Sequence, residues 1–315
     1  MTTSTREVFS WCLRARTLEL GRRTLVMGIV NVTPDSFSDG GRFLDSDTAV
    51  AHALMLLDEG ADLLDLGAES TRPGSRAGNP FNAADSAQAP AVSAEEEQAR
   101  LLPVLEGILS ARPEAIISVD TYKAATARAA IAAGAEIVND VSGFGWDREM
   151  AAVCAGAQCG VVLMHTRGRP EEWRAQPQLA PDALLASVRE GLAASMAAAT
   201  AAGIRPESIV LDPGYGFGKR FDENYALLAG QAELLSLGRP LLAGLSRKSF
   251  LGRTLAPLYG GQDAPVEARE TASIAALVAA ILHGASVVRV HEVRPAVEAA
   301  RIADAVLAES HSLRG

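Results

Sequence analysis

A chain of 315 residues, 48 % hydrophobic and 21 % charged, has the composition of a globular protein, which excludes a disordered chain, a collagen and a low-complexity polymer. Its 29 basic and 38 acidic side chains leave a net charge of −9. A field of that sign repels phosphate, so neither nucleic acid nor an anionic membrane is an expected partner, and an anionic substrate needs locally clustered Arg and Lys.

Along the chain, short β-branched runs alternate with longer helical patterns. The runs lie at 25–30, 62–67, 116–120, 136–140, 160–164, 208–212, 240–245 and 286–290. The patterns predict helices over 46–60, 95–111, 122–134, 147–157, 181–203, 221–237, 268–284 and 293–308. In the first of these, Val50, Ala53, Leu54 and Leu57 mark one buried face. Ser93 with Glu96 forms a capping box, Thr121 stands at an N-cap, and Pro295 fits a first turn. Gly60, Gly134 and Gly203 fall where helices should end.

Eight βα units with nearly all-apolar strands point to one (β/α)8 TIM barrel over 25–310, preceded by a lead-in at 1–24. A doubly wound sheet is the alternative, but no Gly-rich nucleotide turn follows the first run and no P-loop occurs. The stretch 75–94 is rich in Ala, Ser, Pro and Asn and reads as a flexible surface insertion. Cys12, Cys154 and Cys159 contain no CxxC pair, so neither a disulfide framework nor a zinc ribbon is expected, and reduced thiols fit a cytoplasmic protein. No signal peptide is visible among Arg6, Glu7, Arg14 and Arg16. The longest apolar run, 272–282, is well short of the ~20 residues a membrane span needs.

In a barrel the chemistry sits at the C-terminal strand ends. Here polar groups close every run: Asn31, then Glu69 to Arg72, Asp120, Asn139 and Asp140, His165, Asp212, Ser246 to Lys248, and Arg289 with His291. One strand-end Asp is often only a helix cap; eight such sets at one mouth are hard to explain that way. Asp120, Asn139, Asp212 and Lys248 suit a planar heterocycle with a guanidine-like edge, because a carboxylate pairs with two parallel N–H donors. Arg72, Arg289 and His291, with the last helix N-terminus, suit a phosphate or pyrophosphate. Asn31 offers a neutral oxygen to a hard cation such as Mg²⁺, or is simply a turn residue. Asp65 shares a strand face with Leu63 and Gly67, so it is a buried structural polar group or a support to the site. Lys248 as a Schiff-base lysine is disfavoured by its neighbours, and His165 fits packing or a loop hydrogen bond better than direct chemistry.

Seven segments in order carry a family resemblance. Residues 27–41 read MGIVNVTPDSFSDGG and 65–74 read DLGAESTRPG. They are followed by SVDT at 118–121, VNDVSG at 138–143, LDPGYGFGK at 211–219, SRKS at 246–249 and VRVHEV at 288–293. Together these resemble the signatures of dihydropteroate synthases over nearly the whole chain. The resemblance implies condensation of 7,8-dihydropterin-6-ylmethyl diphosphate with 4-aminobenzoate to dihydropteroate and pyrophosphate. By motif position, Asp120, Asn139, Asp212 and Lys248 would hold the pterin, with Asp212 on its 2-amino and N3 edge. Asn31, Thr71, Arg289 and His291, with Arg72 nearby, would hold the diphosphate, with Mg²⁺ on Asn31. Ser249, Phe217 and the loop after the first strand would form the aminobenzoate site. Asp35, Asp120 and Lys248 are the implied catalytic residues. The 33–42 and 70–75 loops are lid candidates, and the family association implies a homodimer through outer helices, with which the Ala-rich 268–284 segment is compatible.

A dissociative mechanism suits this residue set, because an aromatic amine attacks a pterin-stabilised cation without a strong base and no Ser-His or Cys-His pair is needed. Ala68, where Gly is common, and Thr166-Arg167-Gly168-Arg169 depart from the usual pattern of the family. Two other readings remain: a pterin-binding paralogue without turnover, and the methyl-tetrahydrofolate barrel of a corrinoid methyltransferase, which needs no diphosphate pocket.

Overall fold

The computed structural model describes residues 6–32, 42–69 and 92–312. Eight parallel strands close into a barrel: β3 (Leu25–Asn31), β4 (Leu63–Gly67), β5 (Ile117–Asp120), β6 (Ile137–Asp140), β7 (Gly160–Met164), β8 (Ile209–Asp212), β9 (Leu241–Ala243) and β10 (Ala285–Val290), with β10 returning to β3. The (β/α)8 expectation is met, and the doubly wound sheet is excluded by that closure.

Strand alternation decides what lies inside. Met27, Leu63, Ile137, Val162, Val210, Leu242 and Val287 form one interior cluster. Their sequence neighbours Val26, Leu64, Val138, Val161, Leu211, Leu241 and Val288 belong to a second cluster, shared with the surrounding helices. Two positions further along β4, β6, β8 and β10 the inward column turns polar at Asp65, Asn139, Asp212 and Arg289.

The segment read as a lead-in is more than that. β1 (Phe9–Cys12) and β2 (Thr17–Leu20) form an antiparallel hairpin. Its Trp11, Leu13 and Leu20 join the interior cluster, so the hairpin closes the end of the barrel opposite the polar layer. The Trp11 indole N–H donates to the Ser208 carbonyl at 3.0 Å, just ahead of β8. Thus the barrel floor is a packed plug, and the cavity is confined to the other end.

The helices are α1 (Arg42–Asp58), α2 (Ala94–Ala111), α3 (Ala124–Ala132), α4 (Met150–Ala157), α5 (Pro181–Ala201), α6 (Phe221–Gly230), α7 (Ser249–Thr254), α8 (Glu270–Leu282) and α9 (Val293–Ser312). Ser93 caps α2 through its side chain, accepting from the Glu96 N–H at 3.1 Å. Gly60, Gly134 and Gly203 follow helices with φ of +105°, +116° and +96°, as expected of helix ends. Thr121 is not an N-cap: α3 starts three residues later, because Asp147 reaches over from the next loop to accept the Ala124 N–H at 2.8 Å. The helix expected over 221–237 ends at Gly230 and continues as a 3-10 turn, where buried Gln231 accepts from the Tyr215 hydroxyl at 2.7 Å. Among the described residues, no helix is long and apolar enough to cross a membrane.

Candidate active site

A cavity of about 320 Å³ lies at the C-terminal ends of the strands. Asn31, Asp120, Asn139, Asp212, Phe217, Lys248, Ser249, Arg289 and His291 all line it, from six strands and the loops that follow them. Asp35, Thr71 and Arg72, with the 70–75 lid candidate and residues 33–41 of the other, lie outside the described residues.

Its floor is an ion cluster that barrel closure alone could assemble. The Arg289 Nε donates to Asp65 Oδ2 at 2.5 Å, and Nη2 donates to Asp120 Oδ2 at 2.8 Å. Asn139 Nδ2 donates to the same Asp65 oxygen at 3.0 Å. Asp65 is fully buried, so it is a structural polar group and a support to two cavity residues at once. Burial pushes Asp120 up to about 7, against the lowering by Arg289 and with Asp65 adding to the rise. Burial disfavours the Arg289 charge, but Asp65 and Asp120 more than offset it and the guanidinium lies above its usual pKa.

Asp212 stands at the end of β8 and heads a tight turn. Its Oδ1 accepts the Gly214 N–H at 2.7 Å. Burial raises its pKa, opposed by that bond and by Lys248, Lys219 and Arg289. Gly214 has φ +71°, and a Cβ there would stand 1.9 Å from the His165 carbonyl oxygen, so this turn requires glycine. Lys219 is buried below the turn and donates to the carbonyls of Gly214 at 2.8 Å, His165 at 3.0 Å and Phe217 at 3.3 Å. Burial holds its pKa well below the ordinary lysine value. His165 itself is packed against Gly191 and does not line the cavity; burial, with Lys219 and Arg167 nearby, pushes it down to about 2, so the ring is neutral.

On the other side, Arg247 adopts φ +59° in the left-handed region. The turn is clamped: the Arg247 N–H donates to Ser273 Oγ at 2.9 Å, and Arg269 Nη1 donates to the Arg247 carbonyl at 3.1 Å. Its side chain pairs with Glu292. This geometry carries Lys248 into the cavity, with Nζ 4.0 Å from the centre of the Phe217 ring. Ser246 Oγ lies 3.0 Å from His291 Nδ1 and tethers the imidazole at the end of β10.

Sequence reading lists Glu69 among the strand-end polar groups without giving it a role, and passes over two other groups on the wall. Glu69 lines the cavity and is paired to Lys123, which also meets Glu97 at 3.1 Å, while the Tyr122 hydroxyl donates to Glu69 at 3.1 Å. Arg269 and Trp173 also line it. Neither lies at a strand end, so strand-end inspection passes over them. Among the described residues, no group of three His, Cys, Asp or Glu is placed to hold a metal.

Taken together, the cavity is a slot with carboxylates, an amide and a lysine at its base and further cations around it. The sequence profile described as "Pterin binding enzyme" matches residues 27–291, well over half of the chain. The chain is 44 % identical to the dihydropteroate synthase of Mycobacterium leprae over 284 residues, 90 % of this chain and 93 % of that protein. The chain belongs to the dihydropteroate synthases.

Solved structures of this family have the same barrel. A Xanthomonas albilineans dihydropteroate synthase with 4-aminobenzoic acid is 40 % identical with a TM-score of 0.80, covering 95 % of this chain and 98 % of that one. The same protein in complex with 7,8-dihydropteroate is 39 % identical with a TM-score of 0.78, covering 94 % and 98 %. A Yersinia pestis dihydropteroate synthase with a sulfonamide drug complex is 38 % identical with a TM-score of 0.81, covering 96 % and 100 %. As a dihydropteroate synthase, the chain is a transferase of folate biosynthesis.

Proposed function

We propose that the cavity performs the dihydropteroate condensation by a dissociative route. The observation that carries this is the base of the slot: buried Asp212 and Asn139, with Lys248 above Phe217, offer the acceptors and the cation that a pterin edge needs. In this reading Asp212 takes the pterin 2-amino and N3 donors, Lys248 faces O4 and N5, and Asp120 and Asn139 complete the ring's contacts. Arg289 and His291, with Asn31, Thr71 and Arg72, hold the diphosphate. Phe217 and Ser249 border the aminobenzoate, and Asp35, Asp120 and Lys248 serve the chemical step. The methyl-tetrahydrofolate alternative is disfavoured, because such a barrel has no use for cations beside the pterin slot.

The donor set fits a Mg²⁺ ion held chiefly by the substrate. Asn31 gives one neutral oxygen at the cavity wall, and Mg²⁺ commonly keeps few protein ligands beside phosphates and waters. The ion would supply charge neutralisation for the departing pyrophosphate. The chain's own part is to bind the pterin, hold it flat and hold cations where the leaving charge develops. The C–O bond breaks with its electron pair leaving on pyrophosphate; the amine nitrogen then forms the new C–N bond and loses one proton.

This order is testable without the amine. With Mg²⁺ and the pterin diphosphate alone, slow pyrophosphate release is expected as water captures the cation, giving the 6-hydroxymethyl pterin. Added 4-aminobenzoate diverts the flux to dihydropteroate. Strict dependence of pyrophosphate release on the amine would contradict the dissociative order.

The same reading takes the enzyme as cytoplasmic, supported by reduced Cys154 and Cys159 in its core. It takes the assembly as a homodimer through outer helices, supported by exposed Leu282, Ile302 and Val306 on α8 and α9. Light scattering at micromolar concentration reads that mass directly, and a monomer would exclude it.

A further inference from the structure

We infer that Trp173 is a positioning residue that sets the specificity of the aryl-amine end of the cavity by fixing the Phe217 ring. The inference rests on the reading of Phe217 as a wall of the 4-aminobenzoate subsite.

Trp173 lines the cavity although it is only 8 % exposed. Its ring meets Phe217 at 5.3 Å between centroids and 86° between planes, an edge-to-face pair. Lys248 Nζ stands 4.0 Å from the same Phe217 ring. Phe217 is therefore held by an indole and an ammonium, and its ring plane is set by both.

Trp173 is itself immobilised. Its indole N–H lies 3.1 Å from Thr166 Oγ1 and 3.2 Å from the Gly168 carbonyl oxygen, a forked bond inside the loop that follows β7. That loop is bolted to the first turn of α6 by a buried ion pair, Arg167 to Glu223 at 3.1 Å. Arg167 also donates to the carbonyls of Gly218 at 3.3 Å and Pro177 at 2.7 Å, and Glu223 accepts the Leu179 N–H at 2.7 Å. The contact is so close that a Cβ on Gly218 would fall 3.0 Å from Trp173 Cδ1 and 2.7 Å from Arg167 Cβ. A rotamer change at Trp173 would break its forked bond to Thr166 and Gly168 and meet the loop that Arg167 holds against Gly218, so the indole is a fixed wall rather than an adaptable one. The ligand class this suits is a flat aniline; bulk out of the ring plane meets two rigid rings.

Trp173→Ala removes one wall, and Phe217 gains rotamer freedom. The KM for 4-aminobenzoate is expected to rise about threefold to tenfold, the range of an aromatic pair, while the KM for the pterin diphosphate stays within about twofold. Trp173→Phe keeps a ring edge and restores most of the loss. Trp173→Met fills the space without an aromatic edge, and serves if the alanine variant does not fold; its KM for the amine is expected to rise as well. In a Phe217→Leu background, Trp173→Ala should add less than about twofold, because its contact is already gone.

Equal rises in both KM values, or independent, multiplying effects of Trp173→Ala and Phe217→Leu, would overturn the inference. A Phe217→Leu enzyme with an unchanged KM for 4-aminobenzoate would instead overturn the reading of the subsite itself, so the two failures are distinguishable.

Discussion

Arg289→Met is expected to destabilise the protein by about 3–5 kcal/mol, because it strands two carboxylates that share one guanidinium. Asp65 is fully buried and Asp120 is 18 % exposed, and Arg289 holds them at 2.5 Å and 2.8 Å. In a chain of this size such a loss lowers Tm by roughly 10 °C, which thermal melting measures. Its pH dependence identifies the cause. Asp120 is already pushed up to about 7, by burial first, so the native state binds a proton that the unfolded state has released between the ordinary carboxylate range and that value. Stability therefore falls as pH rises through this window, and removing Arg289 raises the native pKa further. The melting deficit of Arg289→Met should be largest near pH 8 and shrink toward pH 5. Adding Asp65→Asn should recover part of it. A deficit independent of pH would show that lost packing, not lost charge, is responsible.

Asp212→Asn has the second large effect, and it falls on activity rather than on the fold. An amide at this position can still accept the Gly214 N–H, which Asp212 Oδ1 takes at 2.7 Å. It also turns an NH₂ donor toward the pterin 2-amino and N3 edge proposed for this position, which is itself made of donors. Losing a buried, charge-assisted pair of this kind costs about 2–5 kcal/mol, so kcat/KM is expected to fall by about 30-fold to 5,000-fold. The fold does not depend on the charge. Burial raises the Asp212 pKa, so ionising it costs stability as pH rises, and the Asn variant should melt at the same temperature as the parent or higher near pH 8. A variant that loses stability and retains turnover would reverse the assignment.

The barrel and most of the slot were legible because the relevant signals are local. Parallel strands buried on both faces read as short apolar runs, and a polar residue ending each run marks the mouth. Asn139, Asp212 and Lys248 stand at or just past such run ends, and all three line the cavity. The ion cluster was not legible: Arg289 lies 224 residues from Asp65 and 169 from Asp120, and only the return of β10 to β3 brings them together. For the same reason Arg289 reads from sequence as a diphosphate ligand alone, while two of its nitrogens hold the floor.

The hairpin at the barrel floor was missed for a different reason. Its strands have four residues each, interleave polar Ser10 and Glu19 with Trp11 and Leu20, and gain their burial only from the barrel interior. Trp173 sits in a six-residue 3-10 turn, Pro170–Ala175, too short to show a helical period, and no strand end points to it. Thr121 failed as a cap because Asp147, in a later loop, satisfies the helix instead.

The most direct measurement is the net reaction of the purified chain. With Mg²⁺, the pterin diphosphate and 4-aminobenzoate, one pyrophosphate is expected for each dihydropteroate formed, and Asp212→Asn should suppress both together. Tight pterin binding with neither product formed would contradict the account and identify a pterin-binding protein without turnover.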